Sequence, residues 1–139
     1  MELLSQQKNY LETVITILGA ICVSVILIAA LVFEFVYGEK ACPLCLLQRV
    51  AFVNIGIALL LNLRYGNSVS HWAIVILSSA AGMTVSIRQI LLHVNDSGFG
   101  SAIFGLHMYT WCFIGYAIAI VGASIILFFY PKLHDGKIE

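Results

Sequence analysis

The sequence predicts an all-α membrane protein, a bundle of four transmembrane helices with both termini cytoplasmic. Three observations lead there. The chain of 139 residues is 61% hydrophobic and only 10% charged, whereas ordinary domains carry roughly 45–50% apolar and about 25% charged residues. Its mean hydropathy is +1.00. The few charges are largely kept out of four apolar runs, residues 13–37, 46–63, 71–92 and 109–130. Each run is close to the roughly 17–25 residues that a helix needs to cross a hydrocarbon core of about 30 Å. In lipid every backbone amide needs an internal partner, so runs of this length are expected to be helices. The whole chain, 1–139, reads as a single integral membrane domain.

The first run is far longer than the roughly 7–15 residue core of a signal sequence, and no small-residue cleavage site follows it. No cleaved leader is therefore expected. Cys22 lies deep in this run, where a cysteine is expected to serve as core packing. Glu34 lies about one turn from its end. The second run opens on "GEKACPLCLLQR". The third places Ser78, Gly82 and Ser86 at four-residue spacing, and the fourth does the same with Gly115, Ala119 and Ala123. Small residues at that spacing let helix backbones approach closely, so those two faces are expected to pack inside the bundle. Cys112 is expected to be packing as well. Tyr109, Trp111 and Trp72 fall near span ends, as an aromatic belt would place them.

Orientation follows from Lys and Arg near the span ends. With the N-terminus inside, Lys8, Arg64, Lys132 and Lys137 are cytoplasmic, and of Lys40, Arg49 and Arg88 on the other side only Lys40 lies in a loop. Residues 38–45 and 93–108 then face outward. In a bacterial cell inner membrane that side is the periplasm, where disulfides persist. The formal net charge is zero, which gives no basic surface for nucleic acid.

Cys42 and Cys45 flank a proline suited to the first position of a helix, where its missing N–H is not needed. Cys42 is then an N-cap and Cys45 a first-turn residue. The free N–H groups and partial positive charge of a helix N-terminus stabilise an anion. A thiolate gains there, becomes a better leaving group in exchange and makes the disulfide more oxidising. A structural staple between near neighbours closes little chain and stabilises little. Zinc would need His93 and His107, whose spacing resembles no zinc finger, so no metal is expected. Inert thiols at a helix start remain open on this pattern alone.

Arg49 follows Cys45 by four residues, on the same helix face and about 6 Å further along. An arginine one turn inside a span is costly unless it snorkels or finds a partner, and is a functional candidate for that reason. Arg88 and Glu34 fall at the same depth. A cation beside the dithiol would stabilise the reduced, anionic form of a membrane-soluble acceptor. Snorkelling, or an ion pair from Glu34 that holds the bundle, is the competing reading.

"CPLCLLQR" resembles the disulfide bond formation protein B family, four-span proteins with a CxxC followed four residues later by arginine. The likeness extends to "SIRQILLH" on the third span and "GLHMYTWCFIGY" at the entry to the fourth. It implies a protein-disulfide:quinone oxidoreductase that takes electrons from a periplasmic thioredoxin-like thiol oxidase and passes them to ubiquinone or menaquinone. Cys42 and Cys45 would be the quinone-coupled pair, with Arg49, and Arg88 at the same depth, as cofactor-binding residues. Typical members carry a second cysteine pair before the fourth span. Here that loop reads "HVNDSGFGSAIFGLHM", without cysteine. Either Cys42–Cys45 exchanges directly with a partner dithiol or the substrate differs. In the same loop Phe99, Ile103 and Leu106 fall at helical spacing, which predicts a short interfacial helix. A non-catalytic assembly or carrier protein of the membrane is the alternative function. A vitamin K epoxide reductase-like enzyme normally places its CxxC near the end of the bundle.

Overall fold

The computed structural model describes residues 2–38, 42–95 and 102–129. Four helices follow one another: α1 (Glu2–Tyr37), α2 (Pro43–Tyr65), α3 (Val69–His93) and α4 (Met108–Phe129). All four are long and apolar enough to cross a membrane, α1 over Asn9–Val36. The helix α1 runs on well before its apolar stretch. Once a helix is nucleated, each further residue adds a hydrogen bond, so it extends into polar sequence. Gly38, with φ of 64°, follows α1 in the left-handed conformation that commonly ends a helix.

The loop before α4 differs from the expected interfacial helix. Two short antiparallel strands, β1 (Ala102–Ile103) and β2 (Leu106–His107), pair with Ile103 opposite Leu106. Phe104 and Gly105 between them have φ of 54° and 79°. Two consecutive left-handed residues are what a tight hairpin turn requires and what a helix forbids. Ile103 and Leu106 are therefore cross-strand partners and not neighbours on a helical stripe; Phe99 lies outside the described residues.

In the bundle α1 packs on α2, α2 on α3 and α3 on α4. The α1–α2 joint is made by glycines. Gly19 lies against Leu59 and Gly56 against Val23, so each helix offers a notch to the other's side chain. The centre of the other three helices is Tyr116, fully buried on α4. Its ring stacks on Phe52 of α2 at 4.3 Å between centroids. The opposite approach is to Gly82 of α3, where an added Cβ would fall 2.3 Å from the tyrosine ring. Only glycine allows that contact. The phenol O–H donates to the Gln48 carbonyl at 2.7 Å, satisfying a polar group that has no water to turn to. Of the small-residue faces, Gly82, Ser86 and Ala123 are buried, while Ser78, Gly115 and Ala119 are half-buried.

Two further expectations change. Trp72 is buried and donates its indole N–H to Asn67, so it belongs to the core and not to an aromatic belt. Cys22 is exposed on the outer side of α1. An exposed side chain at this position fills no core space.

Candidate active site

The site is built on the start of α2. Cys42 is extended (φ −71°, ψ 154°) and caps the helix, with Pro43 in the first position. The Cys42 carbonyl accepts the Leu46 N–H at 3.1 Å. Its Sγ accepts the Cys45 N–H at 3.2 Å, the geometry by which an N-cap side chain satisfies a free amide of the first turn. The sulfur at the cap sits where the helix dipole favours negative charge. Cys42 and Cys45 are half-buried free thiols, within hydrogen-bonding reach of each other. The local sequence "CPLC" dictates all of this: the proline starts the helix and the spacing returns Cys45 to the cap.

A residue that sequence reasoning did not single out completes the pair. Gln89 of α3 is 6% exposed. Its Nε2 lies 3.3 Å from the Cys45 Sγ and 3.6 Å from the Cys42 Sγ. Its Oε1 is buried and has no hydrogen-bond partner among the described residues. One turn below, Gln48 donates to Ser86 Oγ at 2.8 Å, and Ser86 donates to the Gly82 carbonyl at 3.0 Å. This chain ties α2 to α3 at the level of the sulfurs and fixes the rotation that aims Gln89 at them. The signal was present in the sequence: Gln89 continues the face of Gly82 and Ser86 at helical spacing.

Arg49 lies one turn from Cys45 and is partly buried. It forms an ion pair with Glu34 of α1 and donates to the Ala30 carbonyl at 3.1 Å. The predicted competition between site residue and bundle tie thus resolves into a geometry that allows both. A guanidinium has five N–H donors, so donors remain beyond those two bonds. Arg88 is exposed on α3; the structure does not bring it to the sulfurs. His93 donates its Nδ1–H to the Gln89 carbonyl at 2.9 Å. Both His93 and His107 stack on Tyr109, at 6.0 and 5.2 Å between centroids. Among the described residues no group of three or more metal-ligating side chains converges. Cys112 of α4 packs against the core and neighbours Cys45.

With this geometry in place, comparison with known proteins decides the family. The family model described as disulfide bond formation protein DsbB matches residues 12–100. The chain belongs to this family. The matched stretch includes Cys42, Cys45, Arg49, Arg88 and Gln89 and ends before α4. The chain is similar to the Disulfide bond formation protein B of Pseudomonas syringae pv. tomato, 38% identical over 100 residues that cover 68% of this chain and 56% of the relative. It is similar to that of Cupriavidus necator, 40% identical over 67 residues, 48% of this chain and 42% of the relative. The match to the Burkholderia ambifaria protein is longer and weaker, 24% identical over 143 residues, 78% of this chain and 84% of the relative. The chain spans about half the length of the first two relatives. No solved structure matches it.

Proposed function

We propose that this protein is a membrane protein-disulfide oxidoreductase of a bacterial inner membrane, which reoxidises a periplasmic thioredoxin-like thiol oxidase through Cys42–Cys45 and passes the electrons to a membrane quinone. The single observation that carries the reading is the sulfur pair at the mouth of α2, held between a helix cap and a buried amide, with a guanidinium one turn below.

Exchange starts from the Cys42–Cys45 disulfide. The partner's thiolate attacks Cys42, the cap sulfur at the end of the helix, and Cys45 leaves as thiolate. The partner's second thiol then resolves the mixed disulfide, which releases Cys42. No second cysteine pair lies in residues 93–108, so the partner meets Cys42 directly. With both termini cytoplasmic, as the distribution of Lys and Arg favours, the start of α2 and the hairpin would face the periplasm.

Ubiquinone or menaquinone would supply an acceptor for two electrons and two protons. The chain's donor set fits such a group: Arg49 keeps N–H donors after its bonds to Glu34 and Ala30, and it shares a helix face with Cys45. Arg49 would bind an oxygen of the ring and hold it near the sulfurs. Glu34 fixes the guanidinium, so that it does not snorkel away. Arg88 would bear on the quinone only from the outer side of α3. A partner oxidase near about −120 mV requires a more oxidising acceptor, since about 30 mV corresponds to about 1.4 kcal/mol for two electrons; a respiratory quinone meets that need.

Purified protein in lipid nanodiscs, given a reduced thioredoxin-like oxidase and a quinone, tests the reading. Quinone reduction that stops in Cys42→Ser and Cys45→Ser is expected. Turnover unchanged by either substitution would defeat it, and a non-catalytic assembly or carrier role would take its place.

A further inference from the structure

The two sulfurs of the pair are served unequally by their own helix. Cys42 caps α2 and receives a backbone N–H at 3.2 Å, from Cys45. Cys45 sits in the first turn, and the donor aimed at its sulfur comes from another helix: Nε2 of Gln89 on α3, at 3.3 Å. We propose that Gln89 is a catalytic donor of the exchange step, supplying to the Cys45 sulfur the hydrogen bond that the helix N-terminus supplies to Cys42.

The chemistry needs such a donor at one moment. When a partner thiolate attacks the Cys42 sulfur, a new S–S bond forms to the partner and the Cys42–Cys45 bond breaks. Its electron pair goes to the Cys45 sulfur, which becomes a thiolate in a half-buried place. No proton moves in this step, and the charge is carried from the partner's sulfur to Cys45. A thiolate is the leaving group whose stability sets the rate, and a preorganised N–H aimed at the atom where charge arrives lowers the barrier without reorganisation. The amide is held for that edge. It is buried, its oxygen has no partner among the described residues, and a buried polar atom left unpaired costs free energy that packing alone does not repay. The Gln48–Ser86–Gly82 chain one turn below keeps α3 in the rotation that points the donor inward.

The proposal rests on the reading of Cys42–Cys45 as an exchanging pair, and it is tested without quinone or partner protein. Among the described residues, the titratable groups around Cys45 are Cys42 on its own turn, Cys112 on α4 and the Arg49–Glu34 pair of α2 and α1 one turn below. His93 lies one turn up α3 from Gln89. In the full chain carrying Cys42→Ser, in nanodiscs, alkylation of Cys45 by iodoacetamide is followed against pH by peptide mass spectrometry. Gln89→Leu removes the donor and is expected to move the half-maximal pH up by about one unit, a roughly tenfold slower alkylation below it. Gln89→Glu keeps the shape, replaces the donor by an anion and moves it further. It also reads the effect should the leucine variant lose helicity. A profile of either folded variant that superimposes on that of the parent overturns the role of Gln89. If the profiles shift as expected but the chain with both Cys42 and Cys45 in place does not reduce quinone, the quinone reading falls and the donor role stands.

Discussion

At the end of the α2–α3 pair that carries Cys42, side chains from three helices gather around sulfur. At the other end, Asn62, Asn67 and Glu12 gather around the turn that joins the same two helices. There Asn62 Oδ1 accepts the Ser68 N–H at 3.4 Å and meets His71 Nδ1 at 2.9 Å. Asn67 receives the Trp72 indole N–H and donates to Glu12 of α1 at 2.7 Å. The polar groups of the turn end stitch backbone, indole and a neighbouring helix, and none of them can exchange electrons. At the sulfur end Gln89 and the helix cap serve two reactive atoms, and Arg49 keeps donors to spare. Polar residues inside apolar helices have to be satisfied; the two ends show that satisfaction can be spent on connecting helices or on holding a reactive pair.

Substitutions break or sharpen this contrast, and the largest effect belongs to the sulfurs. Cys42→Ser or Cys45→Ser is expected to reduce thiol-driven quinone reduction to the uncatalysed background while far-UV circular dichroism is retained. Cys45→Ser should also trap the partner as a mixed disulfide on Cys42, visible on a non-reducing gel. Next comes the guanidinium. Removing Arg49 alone would strand Glu34, so the informative variant is Arg49→Leu with Glu34→Gln. It should raise the quinone concentration for half-maximal turnover at least about tenfold, the worth of a charge-assisted hydrogen bond, and leave reduction of Cys42–Cys45 by a small dithiol unchanged. An unaltered quinone dependence, with lowered stability alone, would reduce the pair to a bundle tie and make the two ends alike.

The turn end should respond in the opposite sense. Asn67→Ala cuts the links to Trp72 and Glu12 and is expected to cost about 0.6–2 kcal/mol in detergent-titrated unfolding, with turnover per folded molecule unchanged. A kinetic defect would mean that this end also takes part in function. The smallest effect is expected at Cys22→Ser, which should leave turnover intact and stability within about 0.5 kcal/mol. Any loss of electron transfer there would bring a third thiol into the relay.

The fold was legible because length and hydropathy act on each helix alone. The cysteine cap was legible for a similar reason: Pro43 and the Cys42–Cys45 spacing act within one turn. Arg49 followed from the period of a single helix. Arg88 and Gln89 illustrate where that reasoning stopped. They are adjacent in sequence, at nearly one depth, and about 100° apart around the helix. The charge drew attention to Arg88, while the rotation of α3 turned Gln89 inward. The hairpin was missed because apolar spacing over residues 99–106 outweighed the turn that Phe104 and Gly105 make.

The sequence by itself determined four apolar helices, the sulfur couple at the start of the second and an arginine one turn along, because each depends on contacts within a few residues. Tertiary structure alone decided which neighbours face those sulfurs. Tyr116 lodged against Gly82 fixes how α3 and α4 approach, and the Gln48–Ser86 bond fixes how α3 turns against α2. Those contacts join residues 34 and 38 positions apart, and no local pattern states which side of a helix they will choose.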